Sequence, residues 1–268
     1  MVKEIEIHRR NVEDSVNYIK KKEIELKNTN TGLTVLVLCG GIGTTALALE
    51  NAGARVRAII DCEIDPQARA IASRHHDIDY ATLPQDLWQV TATDIQALID
   101  RYGKVDLLVW TTPCQGLSRA NDDGTGLRDG RSALFGRAMY IMSLLRQHNP
   151  ELKYVAENVD FRGSHPEDYK AICETLGEAE YHDAREVSAA NRKRLFWHNL
   201  GPGEQTHGRG IDANTLLRAG ATLKGGATTA PCLMASWWCD ACGTRNCTDK
   251  HNHTKWQRMY TSNPGQCS

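Results

Sequence analysis

The chain has 268 residues, 41% hydrophobic and 24% charged, with a formal net charge of −1. That length gives one large domain, or one plus a small appendage, and that composition supplies an ordinary core and excludes wholesale disorder. No run approaches the ~18 apolar residues of a membrane span. The charged start, Met1 to Arg10, is not that of a secretory signal, and the near-zero net charge confines any nucleic-acid face to a local patch. The chain is therefore expected inside a cell, cytoplasmic or nucleoid-associated. Its nine cysteines, an odd number, suit a reducing compartment and roles in packing, catalysis or metal binding.

Residues 1–30 carry seven Lys/Arg and six Asp/Glu, and Val12, Val16 and Ile19 recur at helical spacing. They predict a peripheral helical extension. From Leu33 the texture changes. Leu33–Cys39 is a continuous apolar run, the mark of a strand buried on both faces. Gly40, Gly41 and Gly43 follow, then a predicted helix Thr44–Ala52. Val56–Ile60 predicts a second strand that ends in Asp61, Glu63 and Asp65. Pro66 opens a helix through His75. Val105–Trp110 predicts a strand, Ser132–Gln147 a helix, Tyr154–Ala156 a short strand and Pro166–Leu176 a helix. Glu186–Val187 and Leu195–Trp197 predict later strands. This alternation predicts an α/β fold, a doubly wound and mostly parallel sheet over residues 31–200. Past Gly201 the periodicity dissolves. Residues 201–268 hold seven Lys/Arg against four Asp/Glu and five of the cysteines. The basic balance thus lies in a small, irregular, Cys-rich C-terminal segment.

Glycines after a first strand let a ligand approach the backbone and let a helix begin at once. Here the turn is Cys39-Gly40-Gly41-Ile42-Gly43. Glu63 stands 20 residues beyond Gly43, at the end of the second strand, where an acidic side chain accepts hydrogen bonds from ribose hydroxyls. A full G-x-G-x-x-G is absent, so a nucleoside ligand without a pyrophosphate fits better. The next strand delivers Thr112-Pro113-Cys114-Gln115, which sets a thiol at the carboxyl edge of the sheet. Glu157-Asn158-Val159 ends the strand after it. Arg192-Lys193-Arg194 places two guanidinium groups on one strand face.

These pieces, in this order, resemble the DNA (cytosine-5) methyltransferases. The run Arg185–Arg194 is similar to the animal de novo enzymes. The resemblance covers about residues 33–200. It implies a Rossmann-like methyltransferase sheet and S-adenosylmethionine as cofactor. It places that cofactor at Cys39, Gly40, Gly41, Ile42 and Gly43, with Glu63 on its ribose, Ile64 and Pro113 beside it, and Asp86 at the adenine amino group. It implies that the Cys114 thiolate attacks carbon 6 of a cytosine flipped out of double-stranded DNA. Glu157 would hydrogen-bond N3 and the exocyclic amine, Arg194 would hold O2, and Arg192 would support it or touch phosphate. Asn158 would tie loops together, and Ser118 and Asn121 are further candidates. Two departures stand out. Cys39 replaces an aromatic residue of the family, and no late Gly-Asn-Ser motif completes the cofactor pocket. Truncation, a second subunit and the N-terminal extension are competing explanations of the latter.

In the tail, Cys239-x2-Cys242-x4-Cys247-x3-His251 offers four ligands for one structural zinc, where the family keeps its target-recognition segment. The reading is a DNA cytosine-5 methyltransferase. A non-catalytic DNA-binding subunit of the same fold and an RNA cytosine-5 methyltransferase are the alternatives.

Overall fold

In the computed structural model, residues 32–113, 133–201, 208, 210–216, 222–223, 227–231 and 260–261 are described. The expected N-terminal helix, Cys114, Ser118, Asn121 and the four zinc candidates lie outside the described residues.

In chain order the elements are β1 (Leu33–Leu38), α1 (Thr44–Asn51), β2 (Val56–Cys62), α2 (Pro66–Ala72), α3 (Ala92–Tyr102), β3 (Leu107–Trp110), α4 (Leu134–His148) and β4 (Lys153–Val159). There follow α5 (Pro166–Leu176), β5 (Glu180–Asp183), β6 (Ala190–Asn191) and β7 (Lys193–His198), then β8 (Thr222–Leu223), β9 (Ala230–Pro231) and β10 (Tyr260–Thr261). Six strands form one mostly parallel sheet in the order β2-β1-β3-β4-β7-β5. Two two-stranded pairs, β6 with β9 and β8 with β10, stand apart from it. The expected α/β class and mostly parallel sheet are what the chain adopts.

The described residues fall into two compact units, divided between Val155 and Ala156. In the first, β1 pairs in parallel with β2 on one side and β3 on the other, so that Val37 lies between Asp61 and Val109. Because β1 is covered on both faces, its sequence is apolar without alternation. One face packs Val35, Val37, Leu107 and Val109 against Leu49, Val56, Ile59 and Val155. Trp110, also fully buried, meets Phe135 edge-on at 5.9 Å and stacks on Tyr154 at 5.8 Å. Burying a large apolar side chain contributes roughly 1.5–3 kcal/mol, so these residues fix the strand ends on which the loops stand.

In the second unit, β5 pairs antiparallel with β7. Alternation along β7 sends Leu195 and Trp197 into the core, where Trp197 lies beside Phe161 and Tyr169. Arg194, Phe196 and His198 take the opposite face.

Two expectations need correction. The strand expected at Glu186–Val187 is instead a 3₁₀ turn over Ala184–Glu186, and the strand lies earlier, at Glu180–Asp183. The Asp183 carboxylate accepts the Arg185 N–H at 3.2 Å and turns the chain there. The helix α3 was not anticipated. Its start carries a capping box, with the Thr91 hydroxyl accepting the Asp94 N–H and the Asp94 carboxylate accepting the Thr91 N–H.

Candidate active site

One candidate cluster is the turn after β1. Cys39 adopts a positive φ of 60°, and its N–H still extends the ladder by donating to the Cys62 carbonyl at 2.9 Å. Gly40 is obligatory for a steric reason: a Cβ there would lie 2.3 Å from Oδ2 of Asp61. Gly43, at φ 87°, is the N-cap of α1 and packs so closely on Ala72 and His76 that a Cβ would crowd both. Ile42 and Ile64 are 54% and 65% exposed, which leaves apolar surface on either side of the turn.

Two carboxylates hold this turn from below. Asp61 accepts the Gly40 N–H at 3.2 Å, and Glu63 accepts the Gly41 N–H at 2.8 Å. The other Glu63 oxygen accepts the Asp65 N–H at 2.8 Å. The Glu63 carboxylate is thus fixed in direction, yet each oxygen keeps a free lone pair for a hydroxyl donor. Arg69 from α2 donates to the carbonyls of Glu63 and Ile64, which steadies the strand exit. Asp86 caps the short 3₁₀ turn Leu87–Gln89 by accepting the Trp88 N–H at 3.0 Å.

The electrostatics are one-sided. Burial, and then the charges of Glu63, Asp61 and Asp86, push the Cys39 thiol up to about 12. Three carboxylates therefore act on one sulfur. Burial, followed by the neighbouring Glu63, pushes Asp61 up to about 7, although the Gly40 hydrogen bond opposes the shift. Cys62, whose Sγ lies 3.0 Å from the Pro84 carbonyl, is likewise pushed well above an ordinary thiol, chiefly by burial. Neither cysteine has the character of a nucleophile.

A second candidate cluster lies in the other unit. Glu157 on β4 is flanked by both expected arginines. The Arg194 Nε stands 2.6 Å from Oε1 of Glu157, and an Arg192 Nη stands 3.5 Å from the same oxygen. Glu157 and Arg194 are mostly buried, at 15% and 19% side-chain exposure, whereas Arg192 is more open at 43%. They border a cavity of about 300 Å³ that His182, Asp183 and Phe196 also line. In the strand register His182 faces Arg194, and its ring meets Phe196 edge-on at 5.6 Å. Asn158 is buried beside Glu157. Its Oδ1 accepts the Val159 N–H, and its amide nitrogen has no hydrogen-bond partner among the described residues.

The fold thus joins Glu157, Arg192 and Arg194, residues far apart in sequence, and it joins Gly40, Gly41 and Glu63. Pro113 is the last described residue before Cys114. Two residues of consequence were missed. Asp183, 3% exposed, accepts the Arg192 N–H at 3.3 Å and pairs with the Arg185 guanidinium at 3.0 Å, so it pins the arginine strand. Asp61 was read only as part of an acidic strand end. The available signal was a carboxylate within the run Val56–Cys62, at a position that pairs with buried Val37. Among the described residues, no group of three or more His, Cys, Asp or Glu side chains is placed to hold a metal ion.

A family model described as C-5 cytosine-specific DNA methylase matches residues 33–196, more than half of the chain, and includes the residues of both clusters. The chain belongs to that family. It is 32% identical over 108 residues to the rice DNA (cytosine-5)-methyltransferase DRM2 and 28% identical over 120 residues to its Arabidopsis thaliana counterpart. Those matches cover 39% and 43% of this chain but only 18% and 19% of the relatives' own lengths. Among solved structures, S. pombe Dnmt2 methyltransferase aligns over 70% of this chain and 59% of its own, with 20% identity and a TM-score of 0.44.

Proposed function

We propose that this chain is an S-adenosylmethionine-dependent DNA cytosine-5 methyltransferase. The observation that carries the reading is the convergence of Glu157 and Arg194 on one partly buried cavity. Cytosine presents an acceptor, O2, directly beside N3, so a guanidinium next to a carboxyl matches adjacent atoms of one ring.

The cofactor cradle suits its ligand. The turn excludes side chains at Gly40, and the fixed Glu63 carboxylate retains acceptor capacity for ribose hydroxyls. The surrounding carboxylates favour a cation. Ile42 and Ile64 offer apolar surface to a base, and Asp86 keeps lone pairs for an adenine amino group. When bound, S-adenosylmethionine supplies an electrophilic methyl group to carbon 5.

The chain's own residues do the rest. Cys114 adds as thiolate to carbon 6, which breaks the ring's aromaticity and makes carbon 5 nucleophilic. Glu157 leaves its ion pair with Arg194, takes a proton from solvent and donates it in a hydrogen bond to N3, while its other oxygen accepts from the exocyclic amine. Arg194 turns to O2, and Arg192 holds the strand or a neighbouring phosphate. Asp183, by fixing the Arg192 backbone, keeps both guanidinium groups in register. After methylation, loss of the C5 proton re-forms the ring's double bond and expels Cys114. Because these atoms are inaccessible within a duplex, the base is flipped into the cavity.

Tritium transfer from labelled cofactor to duplex DNA tests the reading, with transfer RNA as the competing substrate. Incorporation at carbon 5 of DNA cytosine is expected. Incorporation into RNA alone, or cofactor binding with no transfer to either, contradicts it. The spacing of Cys239, Cys242, Cys247 and His251 supports one structural zinc in the same protein. Metal analysis should find about one zinc per chain, whereas less than half would remove that part of the proposal.

A further inference from the structure

Asp61 is the charged side chain most deeply buried beside the cofactor turn, at 1% exposure. The core does not need it. A carboxylate inside a strand costs free energy unless its charge is used, and Val37 on the paired strand asks only for an apolar neighbour. Its Oδ1 accepts the Gly40 N–H, and Gly40 must lack a side chain because Asp61 fills that space. Beside it Glu63 takes the next N–H, from Gly41.

Resting on the cofactor reading above, we propose that Asp61 is a positioning residue: its ionised carboxylate holds the Gly40–Gly41 backbone in the shape that receives S-adenosylmethionine, and protonating it weakens that binding. The groups that act on it are Glu63 from the strand exit, Arg69 from α2, the backbone N–H groups of Gly40 and Cys62, and the thiols of Cys39 and Cys62. The Tyr80 phenol also feels its charge. His76 packs against Gly43 on the far side of the turn.

Burial raises the Asp61 carboxyl from 3.8 to about 7. The sign for stability follows. The folded state binds the proton more tightly than the unfolded one, so the contribution is full below about pH 4 and is lost as pH rises through about 7. Cofactor affinity runs the other way and is highest where Asp61 is ionised. A residue with a purely structural role would lose stability and affinity together.

The experiment is calorimetric titration of S-adenosylmethionine into the full chain between pH 5.5 and 8.5, with thermal melts alongside, for wild type and Asp61→Asn. Wild-type affinity should rise about tenfold as pH passes ~7, a change of one pK unit in linkage. Asp61→Asn should bind about tenfold more weakly at pH 8, with a flat profile. Its Tm at pH 8 should be higher than wild type by at least ~2 °C. The Tm gap should narrow as pH falls from 8.5 to 5.5. Asp61→Asn binding within twofold of wild type at pH 8, or keeping the wild-type pH profile, overturns the proposal. The wild-type profile needs no variant, and cofactor binding without pH dependence also overturns it. Wild type that binds no cofactor at any pH overturns the functional reading as well.

Discussion

Glu157 is gripped by two guanidinium groups, so the side chains proposed to read a cytosine pair with one another. Removing a single donor aimed at the reacting ring typically costs 10²–10³ in rate. Arg194→Ala should therefore lower methyl transfer at least ~100-fold while cofactor affinity, measured by titration, stays within about twofold. Activity within tenfold of wild type would dissociate Arg194 from the chemistry. Cys39 makes a second prediction. With its thiol at about 12 rather than near ~8.5, its thiolate fraction at pH 8 falls by about a thousandfold. Mass spectrometry after iodoacetamide treatment at pH 8 should find Cys39 unmodified in the folded chain, and rapid labelling would contradict the burial and charge assigned to it. At this scale the sequence picked out Glu157 and Arg194, and the fold brings the two side chains together. The sequence singled out no role for Asp183 and took Asp61 only as part of an acidic strand end. Both resemble ordinary acidic residues at strand ends, and only the backbone N–H groups that fold over them give them their roles.

Elements were legible in proportion to how locally they are determined. Pro166–Leu176 lies where Pro at the first turn and Gly177 after the end place it. β1 and β2 follow from their apolar runs. β5 did not, because Glu180-Tyr181-His182-Asp183 carries no apolar pattern and is a strand only by pairing with β7. The helix α3 was overlooked although Thr91-x-x-Asp94 signals its start. Losing such a cap costs about 1 kcal/mol. Thr91→Ala should thus lower the Tm by roughly 2–4 °C and leave cofactor affinity unchanged. An unchanged Tm would show that the capping box contributes nothing measurable.

At the scale of the whole molecule, the family match and the described sheet account for residues 33–196. The zinc candidates and Cys114 itself were readable as motifs alone. The family resemblance is what singles out Cys114 as the proposed nucleophile. The structure adds that Cys39 and Cys62 are disqualified by burial and by surrounding negative charge. The central claim is that a single thiol attacks carbon 6 of a flipped cytosine held by Glu157 and Arg194. It is tested most directly by incubating the full chain with S-adenosylmethionine and duplex DNA containing 5-fluorocytosine, where fluorine at carbon 5 blocks the final proton loss. The account predicts a covalent protein–DNA complex that survives denaturing electrophoresis, maps by peptide mass to Cys114, and disappears in Cys114→Ala. A wild-type protein that binds cofactor and DNA yet forms no such complex would contradict it.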